Sequence, residues 1–378
     1  MTATSVSLPS TTALDRVDEL LGRRVSMRAL ALLRIFAGAV ALMHLWPFVT
    51  DARAGVIYRD AFYEPYAAWY PELPRPLYGG LLALGVVAAV AMSLGLLTRV
   101  ATAATFGVVA YNLFLSTTHF HSNRAYLVIV LAALAIVPCG RELSVDGWLR
   151  ARRGLPALDP RSAAWPLWLL RFEASVVYGA SGLSKLVDGD WFGGTVTWHR
   201  MVQVRDQIEA SPLPSWAVSL LLDRSFHTYA AKVIVLTELF IAVGLWWRAT
   251  RYTAVWVAVV FHIAIQLSAA VEVFSFLAIA ALVIWAVPAT RDRVVVFDPA
   301  DPGQRRLAGA VESLDWLARF RLVEGGRGSP LTLTDRDGTV STDRAATARV
   351  LSRLPLTAWF ALPLLLLPAS RPVPARTG

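Results

Sequence analysis

Lysine is almost missing from this chain of 378 residues, where Lys185 and Lys232 stand against a large excess of arginine. Lys185 closes an apolar run that begins at Trp165, inside the stretch Y-G-A-S-G-L-S-K-L-V-D-G-D-W at residues 178–191. An ammonium held in a low-dielectric site can release its proton near neutral pH, which a guanidinium cannot do. Lys185 is therefore a candidate general base. The same position suits a snorkelling lysine at a membrane boundary, and spacing leaves both readings open.

Other groups capable of chemistry lie in or beside apolar runs. His262 is an ionisable residue within such a run, either functional or a neutral imidazole bonded to a neighbouring helix. The cluster T-T-H-F-H-S-N-R-A-Y-L at 117–127 gathers His119, His121, Asn123 and Arg124. His119 and His121 are two apart, which suits a loop or strand and not one helix face, and a third metal ligand is lacking nearby. Glu173 and Glu238 are expected to pair across helices with Arg171, Lys232 or one another. Arg34 is expected to snorkel to the interface. The single cysteine, Cys139, excludes an internal disulfide and reads as a small apolar filler.

The elements that must position these groups are membrane helices. The chain is 56% hydrophobic and 17% charged, against about 25% charge in ordinary soluble domains. Apolar runs at 29–49, 77–97, 100–116, 126–137, 165–186 and 227–247 approach spanning length. The apolar stretch 253–289 is too long for one helix, and a turn at 268–272 would make it two. The expected count is about eight. Pro138 is expected to kink the short fourth span or mark thinned bilayer. Residues 15–28 read as an amphipathic surface helix with Arg16, Arg23, Arg24 and Arg28 on its polar side. Residues 1–25 are polar and mixed in charge, so no cleavable signal peptide is expected.

The net charge of +9 is distributed as an orientation signal. Arginines gather at the N-terminus, at Arg99, in 141–163, in 248–251 and in the C-terminal region. These segments are expected to be cytoplasmic, with both termini, in a multi-pass protein of the cell membrane. Nucleic-acid binding is not expected, because the arginines sit at the ends of apolar segments and form no single patch. The opposite face collects the aromatic loop 51–75, His119, His121, the connection 187–226 and the Lys185 end of the fifth span. Tyr58, Phe62, Tyr63, Tyr66, Trp69 and Tyr70 let that loop read as an interfacial lid, with a substrate-facing lid as the sharper alternative.

Residues 291–378 change character. Strands are expected at 294–297, 320–323, 331–333 and 339–340, with helices at 304–316 and 343–354 and a hairpin turn at Asp337-Gly338. That is a small α/β domain of thioredoxin-like order. The apolar run 359–368 is about half a spanning length and reads as domain core or a membrane-resting tail.

At 178–191 the sequence resembles the membrane domain of the vitamin K-dependent gamma-carboxylase and its bacterial relatives, the HTTM family. The matching positions are Tyr178, Gly182, Lys185, Leu186, Asp190 and Trp191. N-R-A-Y-L at 123–127, S-V-D-G-W at 144–148, and F-H at 261–262 with Gln266-Leu267 are similar to further family motifs. Together they cover about residues 27–290. The resemblance implies that Lys185 takes the role of the base that deprotonates a reduced, vitamin K-like quinone. Arg124 stands where the family has a histidine implicated in the chemistry. No counterpart of the carboxylase's large lumenal substrate-gripping domain is present, so carboxylation of a protein in the animal manner is not expected. F-D-P-A-D-P-G-Q-R-R at 297–306 resembles the opening of DCC-type thiol–disulfide oxidoreductases, with Asp301 and Gln304 in place of the two cysteines. That implies a domain unable to exchange thiols.

The expectations are then definite. An N-terminal segment 1–26 precedes an all-α membrane bundle over 27–290, and a thioredoxin-like domain over 291–378 follows. Lys185 and His262 are the candidate catalytic residues, and Arg124, His119, His121, Tyr178 and Trp191 the candidate substrate-binding ones. The substrate is a quinol-like lipid, and no metal is expected. Membrane lipid and a cytoplasmic protein docking through 291–378 are the expected partners. The alternative is a non-catalytic lipid- or quinone-binding scaffold in which Lys185 pairs with an acid such as Asp188 or Asp190.

Overall fold

Each long apolar run of the sequence folds as a helix, because a chain without polar neighbours satisfies its backbone internally. The computed structural model describes residues 12–55, 64–247, 249–269, 271, 273–288, 293–354 and 357, with only the backbone of His119 and Ala269. The chain divides into two units, Met1–Trp285 and Ala286–Gly378.

The first unit holds α1 (Ala13–Gly22), β1 (Arg24–Ser26), α2 (Arg28–Arg53), α3 (Arg75–Leu94), α4 (Thr98–Leu115), α5 (Ser122–Ile136), α6 (Val145–Arg152) and β2 (Arg161–Ala163). It continues with α7 (Trp165–Val187), the short α8 (Gly189–Phe192), α9 (Thr195–Gln203), α10 (Arg205–Glu209) and α11 (Ser215–Leu222), then α12 (Arg224–Gly244), α13 (Arg251–Ala269), α14 (Phe274–Ala281) and α15 (Val283–Ala286). Helices thus stand on the expected apolar runs, the last of them divided into α14 and α15. Among the described residues four are long and apolar enough to cross a membrane: Arg28–Arg53, Arg75–Leu94, Arg224–Gly244 and Arg251–Ser268. Ser122–Ile136 and Phe274–Ala286 are apolar but shorter.

Neighbouring helices pack in chain order from α2 to α5, and α7 packs on α12, α12 on α13 and α13 on α14. Contacts of α14 with α2 and α5 join the two groups.

Several details correct the reading from sequence. The surface helix ends at Gly22, and Arg24–Ser26 pairs as an antiparallel strand with Arg161–Ala163. Val25 is buried in that pairing, and the main-chain N–H of Met27 donates to Pro160 O at 2.9 Å. Arg34 does not snorkel. Its side chain is fully buried, and Nη2 donates to the Leu143 carbonyl. Pro138 ends α5 and does not kink it, since a residue before proline avoids the helical region. The basic segment 141–163 contains α6, whose Asp146 caps α4: its carboxylate accepts from Leu97 N and Thr98 N at 2.8 Å each and from Thr98 Oγ1 at 2.7 Å. Burial works to raise the Asp146 carboxyl, but these three donors prevail and hold it below the usual carboxylate range. Tyr58, Phe62 and Tyr63 of the aromatic loop lie outside the described residues. Tyr70 stacks on Tyr111 of α4 with centroids 5.6 Å apart, and Tyr66 meets Phe114 and Phe120 edge-on.

Among the described residues the second unit is a four-stranded sheet with two helices: β3 (Arg293–Phe297), α16 (Pro302–Leu314), β4 (Phe320–Glu324), β5 (Thr332–Thr334), β6 (Val340–Thr342) and α17 (Asp343–Leu351). Sheet order is β4-β3-β5-β6, with β3 parallel to β4 and antiparallel to β5, and β6 antiparallel to β5. Alternation along β3 buries Val295 and Phe297 with Leu307 and Val311 of α16, Leu333 of β5 and Val350 of α17. Gly338, at φ +81°, makes the hairpin turn expected at Asp337-Gly338. The run 359–368 lies outside the described residues.

Candidate functional site

Tyr178, Ser181 and Lys185 follow one another along α7 at spacings of three and four residues, so they share a stripe of the helix. That stripe faces α12. Gly182 lets the helices close: a Cβ there would lie 3.0 Å from Leu239 Cδ2 and 3.3 Å from Glu238 Cβ. The approach brings Glu238 of α12 onto Lys185. Lys185 Nζ donates to Glu238 Oε1 at 2.6 Å and to Oε2 at 2.8 Å. Ser181 Oγ bridges the pair, 2.6 Å from Nζ and 3.0 Å from Oε1. Only 16% of the lysine side chain and 6% of the glutamate side chain is exposed. A bidentate pair with a bridging hydroxyl gives each buried charge the partners it needs.

Beyond Lys185 the chain turns into α8. Asp188 caps it, accepting from Asp190 N at 2.9 Å and Trp191 N at 3.2 Å, and so fixes the backbone that carries the Trp191 indole. Lys185 Nζ stands 5.1 Å from that ring's centroid. The Arg200 guanidinium of α9 stands 5.7 Å from it. The α9 segment is anchored on α12 at Gly194, whose φ of +81° and missing Cβ allow it to lie against the His227 backbone.

These groups border a cavity of about 910 Å³ whose wall comes from α5, α7, α8, α9, α11, α12, α13 and the first residue of α14. Lys185, Glu238, Ser181, Trp191, Arg200, His121 and His227 line it; most of the remaining wall is apolar, including Ile129, Val177, Phe226, Ile234, Phe261 and Phe274. This size and lining are those of small-molecule sites.

The candidate residues are distributed as follows. Tyr178 lies behind the wall with its hydroxyl 2.7 Å from His262 Nε2, and His262 is fully buried between the rings of Phe261 and Phe274. His121 lies on the wall and caps α5, Nδ1 accepting from Asn123 N at 3.3 Å. Arg124 is not on the wall; its guanidinium lies over the Phe48 ring of α2 at 5.8 Å. The backbone of His119 belongs to a 3₁₀ turn at Thr117–His119, and its side chain lies outside the described residues. Among the described residues no group of three His, Cys, Asp or Glu side chains could hold a metal ion.

The expected acid partners are corrected. Lys185 pairs with Glu238 and not with Asp188 or Asp190, because Asp188 is committed to capping α8. Lys232 lies over the rings of Phe192 and Tyr229 and leaves Glu238 to Lys185. Arg171 turns to the Ile284 carbonyl, with Nε at 3.0 Å and Nη2 at 2.8 Å, and to the Trp285 ring. Glu173 forms no ion pair among the described residues, and its buried Oε1 has no hydrogen-bond partner.

Sequence reasoning missed Ser181, Arg200 and His227 as wall residues, and Glu238 as the partner of Lys185. Ser181 was open to detection, since a serine four residues before a buried lysine lies on its helix face. His227 Nε2 lies 2.7 Å from Leu221 O, and since a carbonyl only accepts, Nε2 carries the proton.

The model of the HTTM domain matches residues 23–289, which hold the whole cavity. No curated protein and no solved structure matches the chain. With its bundle of apolar helices and that match over most of its length, the chain is a multi-pass membrane protein and belongs to the HTTM family, whose membrane domain is carboxylase-like.

Proposed function

We propose that the cavity takes a lipophilic, quinol-like substrate from the bilayer and that Lys185 acts on it as a base. The observation that carries this reading is the Lys185–Ser181–Glu238 network on the wall of an apolar cavity. A reduced quinone bound there supplies an acidic hydroxyl and the electrons for reaction with oxygen. In the resting pair Lys185 is charged. To accept a proton it first passes its own along the 2.6 Å bond to Glu238, leaving neutral amine and neutral acid. Nζ then holds the hydroxyl proton, and Trp191 and Phe274 provide ring surfaces on the wall. The buried Tyr178–His262 pair supports the wall from behind.

The test is oxygen uptake or epoxide formation by the protein in nanodiscs with reduced quinones. Lys185→Ala and Lys185→Arg should both lose turnover by at least about a hundredfold, since arginine keeps the charge but cannot serve as base. Equal activity in wild type and Lys185→Arg rejects the role.

A second reading is a non-catalytic lipid- or quinone-binding scaffold. What favours it is that Glu238 and Ser181 already satisfy Lys185. Under that reading quinone binds, no turnover follows, and the second unit docks a soluble cytoplasmic protein.

The arrangement we adopt has eight crossings in the cell membrane, with both termini and the arginine-rich turns cytoplasmic. The second unit reads as a thioredoxin-like domain, supported by its sheet order β4-β3-β5-β6 and the helix between its parallel strands. At the place of the two DCC cysteines, Asp301 caps α16 by accepting from Gln304 N at 2.8 Å. Gln304 accepts from Asp298 N at 2.8 Å and donates to Ser329 O at 3.2 Å. With no thiol there, docking is the role left to it.

A further inference from the structure

The cavity wall carries two positive side chains near one indole, and they are not in the same electrostatic state. Lys185 is met by Glu238 in a bidentate pair. Arg200 has the Trp191 ring 5.7 Å away, and among the described residues no carboxylate lies within ion-pairing distance of it. Among the described residues Glu238 is the one acidic residue on the wall, and Lys185 already takes both its oxygens. One arginine is therefore left uncompensated, and its side chain is exposed where it borders the cavity. A cation at the edge of a low-dielectric cavity concentrates anions there, and guanidinium suits a planar carboxylate or a phosphate oxygen pair. The remaining wall offers apolar surface for a chain, with Met201 of α9 beside the arginine in sequence and Phe226 and Ile234 along α12.

We propose that Arg200 is an anchor for an anionic headgroup, so that the cavity holds an amphiphile with one anionic oxygen group and a single apolar chain. The inference does not depend on Lys185 acting as a base; it concerns a second subsite of the same cavity. Trp191 positions the guanidinium through its ring face. The Asp188 cap that fixes α8 keeps that ring in place.

The experiment measures binding of radiolabelled oleate to the full chain in nanodiscs of uncharged phosphatidylcholine, corrected for empty nanodiscs. Methyl oleate and acetate serve as the chain-only and anion-only probes. The expected result is saturable oleate binding that weakens about tenfold in Arg200→Gln and is largely kept in Arg200→Lys, as for loss of one charge-assisted contact. Methyl oleate should bind weakly and alike in all three proteins, and excess acetate should not displace oleate. Equal oleate affinity in Arg200→Gln, methyl oleate binding as tightly as oleate, displacement by acetate, or no saturable binding would each overturn the proposal. Loss of turnover in Lys185→Arg is read in a separate assay, so failure of either reading is seen without the other.

Discussion

A lysine and a glutamate that satisfy each other inside a membrane protein are safe together and harmful apart. Removing one leaves the other a largely buried charge without its counter-ion. Glu238→Gln should therefore lower stability by about 3 kcal/mol, read by thermal unfolding in nanodiscs. The double variant Lys185→Met/Glu238→Leu should recover most of that loss, since two apolar residues of similar volume replace the pair. Recovery separates a penalty of isolation from any net strength of the bond. Lys185 itself was readable from the sequence, because a rare lysine inside an apolar run is conspicuous. Its partner was not. Which side chains meet across two helices depends on the rotational phase of each helix, and the sequence offered Asp188 and Asp190, close to Lys185 in the chain, as its acids. Arg34 was misread for a related reason: snorkelling is the default for an isolated helix, and the Leu143 carbonyl that holds it belongs to a segment far along the chain.

At the scale of elements, long apolar runs announce helices, and where the helices stand followed from hydropathy. Short elements did not follow. Three-residue strands such as β1 and β2 carry too little pattern to be seen, and α6 was hidden in a segment read as a basic loop. Yet α6 delivers Asp146 to the N-terminus of α4, where its oxygens take Leu97 N, Thr98 N and Thr98 Oγ1. Asp146→Ala should lose about 2 kcal/mol at pH 7, for the lost cap and the donors left unpaired. The folded pKa of Asp146 is depressed, so its contribution is present above the unfolded value of about 4 and disappears as pH falls through the folded value. Unfolding midpoints of wild type and Asp146→Ala should therefore converge on acidification. A gap that widens instead would mean that the carboxylate is not what stabilises this corner.

On the scale of the molecule, the order of strands and helices in the second unit was legible, because alternation, a turn glycine and short length all agree there. What the first unit conceals in sequence is how it is tied. Arg24 pairs with Ala163 and Ser26 with Arg161, so the helices α2 to α6 lie between two segments that are hydrogen-bonded to each other. The ends of this stretch are held together at the threshold of α7. Residues 151–160 between them are exposed, and Arg152 and Arg153 offer trypsin a place to cut. A single nick there should leave a severed protein that behaves as an intact one: two fragments on a denaturing gel, one species in size exclusion, with an unchanged cavity. Such a chain is mechanically closed where it is chemically open, and separately expressed halves divided at that point should find each other in the membrane.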